Sequence, residues 1–453
     1  RLASLGPSDL SFKTRTIALE SSLKAFRERP IFGWGLENYN AAYNRYYNPD
    51  YAIYEEAWFD RAHNKLADVG VTQGIFGLGA YLWMLISIFS LIFSKRNNFE
   101  GKKELFVSVT IGSLLVAYLI SNLFLFDTPV SYMLFFAVLA FVFREYVFCQ
   151  DEPKNISGAN IRNQKSANFS DILASVLILG VGYVFYVYNY VPLRQARNYY
   201  NLAGTGDALR IARESETFTE PYNYVQSVLR FQFLQFAASG QRLLKPEYNL
   251  FTNKAIAAME DLLRRENGYE PRHNILLGET YNDRGKIDKE FLKKSEAVLR
   301  EALKIAPKRQ DIFYILAYAL AGQGRHEEAI RLAQEALALS PEVAKAHYNL
   351  GLELAIAGQE NWDEVETEFG KALDIGFINK GLIKLDYSNM EIVYKQMLSV
   401  YVPARDKERV IRIAKRMMQI TPEFKSDLEA LITLAERGEW EVLIKSLIEP
   451  LEQ

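Results

Sequence analysis

Arg15, Arg61, His63, Asn64 and Asp127 are the residues of this chain whose types and placement suit chemistry on a phosphorylated substrate. A guanidinium matches phosphate oxygens two at a time. A histidine, whose unperturbed pKa lies near neutrality, takes a proton from a hydroxyl or hydrogen-bonds a phosphate, and the sequence leaves both roles open. In WFDRAHNKLADVGVTQGIFG, residues 58–77, this titratable chemistry stands immediately before a long uncharged run. Asp60 suits the cap of a short helix on which His63, Ala67 and Gly70 share one face and Arg61, Asn64 and Asp68 another. Gly74 and Gly77, one turn apart, permit close helix approach. A basic, His-containing site at a membrane–water boundary is where a lipid-borne anion presents its head group. On residue types alone, a single His there is more often structural than catalytic.

The elements that must position these residues are legible nearby. Thr14 to Arg29 reads as an amphipathic helix stopped by Pro30. Arg15, Leu19, Ser22 and Phe26 fall on one stripe of it, so Arg15 points with the apolar residues and needs an anion or a carboxylate there. Arg27 and Arg29 read as surface charges. In PIFGWGLENY, Gly33 and Gly35 allow a tight turn. Tyr39, Tyr43, Tyr46, Tyr47, Tyr51 and Tyr54 follow, flanked by Trp34 and Trp58. They suit an interfacial aromatic belt, or a stacking surface for sugar rings with Trp34 and Trp58 as substrate-binding residues. Asp127 lies in an FDTP turn, placed to orient an arginine or His63, or to cap the helix that follows.

The chain has 453 residues, 49% hydrophobic, with a formal net charge of −2, a balance that argues against a nucleic-acid binder. One cysteine, Cys149, excludes an intramolecular disulfide framework, and no spacing suggests a metal site or another cofactor. Four runs have the length of membrane spans, at about 71–93, 105–126, 130–148 and 172–191. None carries an ionisable residue near its centre, as a proton-coupled transporter requires. Lys95, Arg96, Lys102 and Lys103 follow the first run, and Lys154, Arg162 and Lys165 precede the fourth, whereas the FDTP turn has no basic residue. Basic loops stay cytoplasmic. Residues 1–70 and 193–453 are therefore expected outside on a multi-pass membrane protein, which in a bacterium would be the periplasm or the cell exterior. The chain opens on Arg without a signal peptide, so a truncated start is expected, with earlier parts of the protein missing.

Beyond residue 193 the composition is that of a soluble helical protein. Residues 193–270 read as divergent helical hairpins. From 271 to 453 a pattern recurs: Phe313, Leu316-Ala317, Gly324, Ala329, Ala336 and Pro341 in one copy, and Leu350-Gly351, Gly358, Phe369 and Ala372 in the next. Leu277-Gly278, Tyr281, Gly285, Ala302 and Pro307 show it earlier, and Tyr394, Leu398, Tyr401 and Pro422 later. The pattern resembles the tetratricopeptide repeat, whose stacked helix pairs share a core and present a concave surface to a protein partner. His326 and His347 are read as lying on solvated faces. The expected fold class is all-α: a multispan transmembrane helical domain followed by an α-solenoid of tetratricopeptide-like repeats.

The order of an Arg-bearing helix, Pro-Ile-Phe-Gly-Trp-Gly-Leu, an aromatic loop and His63-Asn64 before Gly74 and Gly77 resembles the shared core of O-antigen ligases, O-antigen polymerases and related protein O-glycosyltransferases. The resemblance covers roughly residues 12–148. Leu19 departs from it, since many members carry Trp there. It implies an enzyme that moves a glycan from an undecaprenyl-diphosphate carrier to an acceptor hydroxyl on the extracytoplasmic face, without a metal or cofactor. Arg15 and Arg61 would neutralise the leaving diphosphate, His63 would take the acceptor proton, and Asn64 would orient His63 or a sugar hydroxyl. The repeats would recruit a protein acceptor or a partner of the glycan pathway. The alternative, from another class, is a non-catalytic membrane-anchored scaffold that recruits extracytoplasmic proteins. A scaffold needs one anchoring helix rather than four and has no use for Arg15 on an apolar stripe.

Overall fold

A computed structural model describes residues 10–55, 57–94, 102–125, 127–146, 169–266, 269–378 and 387–448. Among them every regular element is helical, as the periodicities require. The chain forms two compact units, one of Arg1–Tyr46 with Trp58–Leu276, the other of Tyr47–Ala57 with Leu277–Gln453.

The first unit opens with α1 (Leu10–Glu28) and α2 (Tyr39–Arg45) and continues with α3 (Lys65–Ser94), α4 (Lys102–Asn122) and α5 (Pro129–Tyr146). Helix α1 packs through small residues. Thr14, Ala18, Ser21, Ser22 and Ala25 are buried, whereas Leu19 and Leu23 are about half exposed. The face expected from the large apolar residues is therefore rotated: Arg15 lies at the edge of the buried face, and Leu19 lies outside it. Small side chains let the backbones approach, and polar contacts then close the gap. The Ser22 hydroxyl lies 2.7 Å from that of Tyr39, and the Trp34 indole donates to Ala25 O at 2.9 Å. Four of the aromatic-loop tyrosines, Tyr39, Tyr43, Tyr47 and Tyr51, are core residues. This corrects both the belt and the sugar-stacking expectation for them.

Helix α3 is broken at Gly74, whose backbone stands at φ 66° and ψ −163°. The break opens the helical ladder, and the loop after α1 takes it up. Trp34 N donates to Val71 O at 2.9 Å, Gly35 N to Thr72 O at 2.8 Å and Ile75 N to Pro30 O at 2.7 Å. The approach leaves no room for a Cβ. One added to Gly74 would sit 2.3 Å from Ile31 O, and one on Gly33, itself at φ 70°, would sit 2.5 Å from Gln73 N. Gly74 thus serves a loop contact rather than the helix–helix contact expected of it.

Below the break, α3, α4 and α5 share a core of Leu85, Ile88, Ile92, Ile111, Leu115, Phe135 and Val142. Trp83, Phe106 and Met133 expose large apolar surface on the outer side. Helices that are apolar all round belong in lipid. Lys65–Phe93, Leu105–Asn122 and Ser175–Thr205 are long and apolar enough to cross a membrane, and Val130–Arg144 is a shorter apolar helix. The basic loops carrying Lys95 and Arg96 and carrying Lys154, Arg162 and Lys165 lie outside the described residues, as do the last residues of the run 130–148.

Helices α6 (Phe169–Phe185) and α7 (Val191–Thr205) are joined by one π-helical turn, Tyr186–Tyr190. The helix continues through Pro192, past the end of the run expected at about 172–191. Proline lacks an N–H and crowds the carbonyl four residues earlier. The widened turn relieves the crowding, and Tyr224 donates its hydroxyl to the released Tyr188 O at 3.0 Å. Then follow α8 (Ala208–Arg213), α9 (Glu216–Thr219), α10 (Gln226–Ala238) and α11 (Asn249–Glu266). They close on Arg230, 1% exposed, which donates to Asp261 Oδ2 at 2.6 Å and to two backbone carbonyls at 3.0 Å. Hydrogen bonds from Arg230 and Arg265 hold the Asp261 carboxyl down at about 2.

The second unit is a row of helix pairs: α12 (Pro271–Gly285) with α13 (Glu290–Ile305), α14 (Gln310–Gly322) with α15 (His326–Leu339), α16 (Ala344–Ala357) with α17 (Trp362–Ile378), α18 (Tyr387–Tyr401) with α19 (Lys407–Ile420), and α20 (Lys425–Arg437) with α21 (Trp440–Ile448). The positions expected to be small are where helices meet. Ala329 and Ala336 are buried, and a Cβ on Gly351 would lie 2.5 Å from the Phe369 ring. Helices α17 and α19 are braced by ion pairs of Arg409 with Asp363 at 2.9 Å, Arg412 with Glu366, and Arg416 with Asp374 at 2.7 Å. His347 does not lie on a solvated face. It is 6% exposed, its Nδ1 lies 2.5 Å from Glu368 Oε2, and its Nε2 lies 2.9 Å from Pro341 O.

Two predictions follow from packing. Gly74→Ala and Gly33→Ala each force a strained φ and a backbone collision, so each should lower the stability of the purified protein by at least ~1–3 kcal/mol, read as a fall in Tm. Glu353 is 5% exposed on α16, and burial pushes its carboxyl up to about 8. The folded state then holds a proton that the unfolded chain releases near its ordinary value, so ionisation opposes folding increasingly as pH rises from about 4.5 to 8. Melting temperatures of wild type and Glu353→Gln should therefore diverge over that window, with the variant gaining. Parallel curves would show that the carboxyl is not desolvated.

Candidate active site at the head of the first apolar helix

The loop seated on the Gly74 break fixes the first turns of α3, and Arg61, His63, Asn64 and Asp127 lie about them. Helix α3 begins at Lys65, and Asn64 is its cap: Asn64 Oδ1 accepts from Ala67 N at 3.0 Å, and Asn64 O accepts from Asp68 N at 2.9 Å. The Asn64 amide also donates to Leu123 O at 3.3 Å, tying the start of α3 to the end of α4. Asn64 therefore works on the backbone rather than on the His63 ring. Asp60 caps no helix and instead pairs with Arg272 at 2.9 Å.

His63 stands just before the cap with φ 49°, a left-handed conformation that costs a non-glycine residue of order 1 kcal/mol or more. It is not on the helical face with Ala67 and Gly70 that the sequence suggests, because the helix starts after it. Its ring meets Phe59 edge-on with centroids 5.1 Å apart, Phe59 meets Tyr43 at 5.4 Å, and Tyr43 stacks on Tyr39 at 6.2 Å. This file of rings runs back to Ser22 of α1 and holds the imidazole half-buried. Burial raises the Tyr39 hydroxyl well above its ordinary pKa, so it remains a neutral hydrogen-bonding group.

The cations divide into compensated and uncompensated. Arg61 is hydrogen-bonded to Glu37 and lies 3.3 Å from Asp68 Oδ2. Burial opposes its charge, but the two carboxylates outweigh burial and hold its pKa above arginine's ordinary value. Arg15 is half-buried and pairs with no carboxylate among the described residues. Asp127 orients neither an arginine nor His63. Its carboxylate, 1% exposed, lies 3.0 Å from Lys65 Nζ and accepts from Tyr118 at 2.7 Å and Ser131 at 3.2 Å. The Lys65 ammonium also donates to the Tyr132 hydroxyl at 2.6 Å. Trp34 is buried, with the Arg29 guanidinium 4.1 Å above its ring, so it wedges the loop against α1 rather than offering a stacking face. Trp58 stays half-exposed, with Arg272 5.5 Å over its ring.

Lys65, Glu37, Tyr118 and Tyr132 were not singled out from the sequence, and Asp68 was placed on a face with Arg61 without a role. Lys65 had a signal, its place directly after His63-Asn64. Glu37 had none, since its contact with Arg61 depends on how the loop folds back. Lys65, Gln73, Tyr118, Asp127 and Tyr132 line the polar part of a cleft of about 290 Å³ between α3, α4 and α5, and Gly77, Ala80, Met84 and Phe136 line its apolar part. No group of three or more His, Cys, Asp or Glu suited to a metal occurs among the described residues.

Residues 2–82 match the family model of the O-antigen ligases. The match spans α1, the glycine loop, α2, the His63 turn and α3 beyond its break, and it ends before Asp127. It supports, at family level, a membrane glycosyltransferase of the O-antigen ligase type acting in polysaccharide biosynthesis. No curated protein matches the chain.

Lys65 and Asp127 neutralise each other in a nearly dry setting. Lys65→Met alone leaves a buried carboxylate unpaired and should cost ~3–5 kcal/mol. The double variant Lys65→Met/Asp127→Leu should recover most of that loss. Thermal unfolding of the four forms in detergent measures the coupling, and additive losses would show that the pair is not energetically coupled.

Proposed function

We propose that this protein is a membrane glycosyltransferase of the O-antigen ligase type, which transfers a glycan from an undecaprenyl-diphosphate carrier to an acceptor hydroxyl on the extracytoplasmic face. The observation that carries this is the family match over residues 2–82, the stretch in which the chain holds His63 in a strained conformation at the head of a membrane-length helix. Strain of this kind persists where the surroundings over-determine a functional geometry.

Transfer forms a bond between the acceptor oxygen and the sugar carbon and breaks the bond from that carbon to the diphosphate oxygen. His63 takes the acceptor proton, and the departing diphosphate is met by fixed cations. Arg15, which lacks a carboxylate partner among the described residues, is the cation free to receive it, and Arg61 joins by exchanging Glu37 for phosphate. Lys65 extends the same logic. Its cleft runs from polar to apolar, which suits a phosphate head group at Lys65 with an isoprenoid chain along Gly77, Ala80 and Met84. Trp58 remains the residue for stacking a sugar. Helices 65–93, 105–122 and 175–205 cross the bacterial inner membrane, with the short α5 completing a four-helix set. The helix pairs of the second unit are tetratricopeptide-like repeats on the same side as His63, placed to engage a protein partner or acceptor.

In cells whose only copy carries His63→Ala, surface glycan should be lost by two orders of magnitude or more (~10²–10⁴-fold for loss of a general base) while the protein is still inserted. Accumulation of a full-length carrier-linked glycan would mark a ligase, and of a single repeat unit a polymerase. An unchanged glycan profile would remove His63 from the mechanism.

A further inference from the structure

The segment Tyr47–Ala57 lies between two stretches of the first unit in sequence but folds with the helix pairs of the second. It is not a bare linker. Asn48 caps a single 3-10 turn, Pro49–Ile53, through a bond from Asp50 N at 3.1 Å, and Tyr54 N bonds Tyr51 O at 3.0 Å. The turn presents Tyr47 and Tyr51 on one side, 5% and 1% exposed, with their rings 6.2 Å apart edge to face. Arg309, at the start of α14 and only 2% exposed, lies 4.8 Å over the Tyr47 ring. Ala52 and Ile53 pack on a core of Phe313, Tyr314, Ala336, Val343 and Ala346, drawn from α14, α15 and the start of α16.

This is how a helical-repeat surface takes a peptide: a pre-formed turn, two deeply buried aromatic anchors, a buried guanidinium stacked on one of them, and apolar contacts alongside. The occupant is known here because it is the protein's own chain. Its C-terminal end leads straight into Trp58, Phe59, Arg61 and His63, and Phe59 is the ring against which His63 rests.

We propose that the helix pairs bind residues 47–57 as an internal ligand and that seating this segment sets the turn carrying Trp58, Arg61 and His63 for transfer. Tyr47, Tyr51 and Arg309 are then positioning residues. The second half of the proposal rests on the reading of His63 as a transfer residue.

The test uses the full chain in detergent, wild type beside Tyr51→Ala, Arg309→Ala and Arg309→Lys, with hydrogen exchange followed by mass spectrometry and glycan transfer kinetics in parallel. Amides of 51–55 should be protected in the wild type. Tyr51→Ala and Arg309→Ala should speed their exchange by about tenfold or more, with kcat falling by a similar factor (about tenfold) and KM for the carrier little changed. Arg309→Lys, which keeps a cation over Tyr47, should restore most of both. Tyr51→Ala leaves the repeats untouched, so it decides the matter if Arg309→Ala disturbs them. Fast exchange of 47–57 in the wild type would overturn the seat, and a released segment with unchanged kcat would overturn its positioning role. A wild-type level of transfer in His63→Ala would defeat the assignment of the site while leaving the exchange result to judge the seat by itself.

Discussion

The geometry of the candidate site depends on one backbone exchange. Helix α3 gives up its own hydrogen bonds around Gly74, and the 30–35 loop replaces them with bonds from Trp34 and Gly35 and a carbonyl from Pro30. Polar backbone groups left open at the edge of an apolar helix are costly, so the break and the loop require each other. Because Trp34 also bonds to Ala25 of α1, the same contact carries the C-terminal half of α1 against α3. The loop makes this connection through backbone hydrogen bonds and the Trp34 ring, over which the Arg29 guanidinium lies.

Charge is handled differently at each level of the first unit. Within α10 and α11, Arg230 is fully enclosed and every direction of its guanidinium is met, which is the signature of a structural ion. At the head of α3, Lys65 and Asp127 neutralise each other, and Arg61 is shared between Glu37 and Asp68. These pairs let charged groups lie at the mouth of an apolar bundle without a net field. Under the proposed function, an incoming diphosphate would compete with these carboxylates for its cations, coupling binding to rearrangement there.

The helix pairs owe their order to small residues where helices cross and to cross-braces such as the arginines of α19 on the acids of α17. Into this row the chain inserts one foreign piece, the turn with Tyr47 and Tyr51. Tyrosine is well suited to that use, since it buries a large rigid surface at little conformational cost.

The sequence by itself determined the helical class, the run of membrane-length segments, the end of α1 at Pro30, the glycine turn and the placing of His63-Asn64 at the entrance of a span. These are short-range properties: a period of 3.6 residues, a missing N–H at proline and a permissive φ at glycine act within a few residues of themselves. The tertiary structure decided what those elements touch. It turned the buried face of α1 toward its small residues, made core of Tyr39, Tyr43, Tyr47 and Tyr51, carried α7 past Pro192 and buried His347 against Glu368. It also paired Asp127 with Lys65 rather than with an arginine or His63. No periodicity encodes such choices, because they join residues far apart in the chain and are settled by which backbones come close enough to bury a group, and by which opposite charge is within reach once they do.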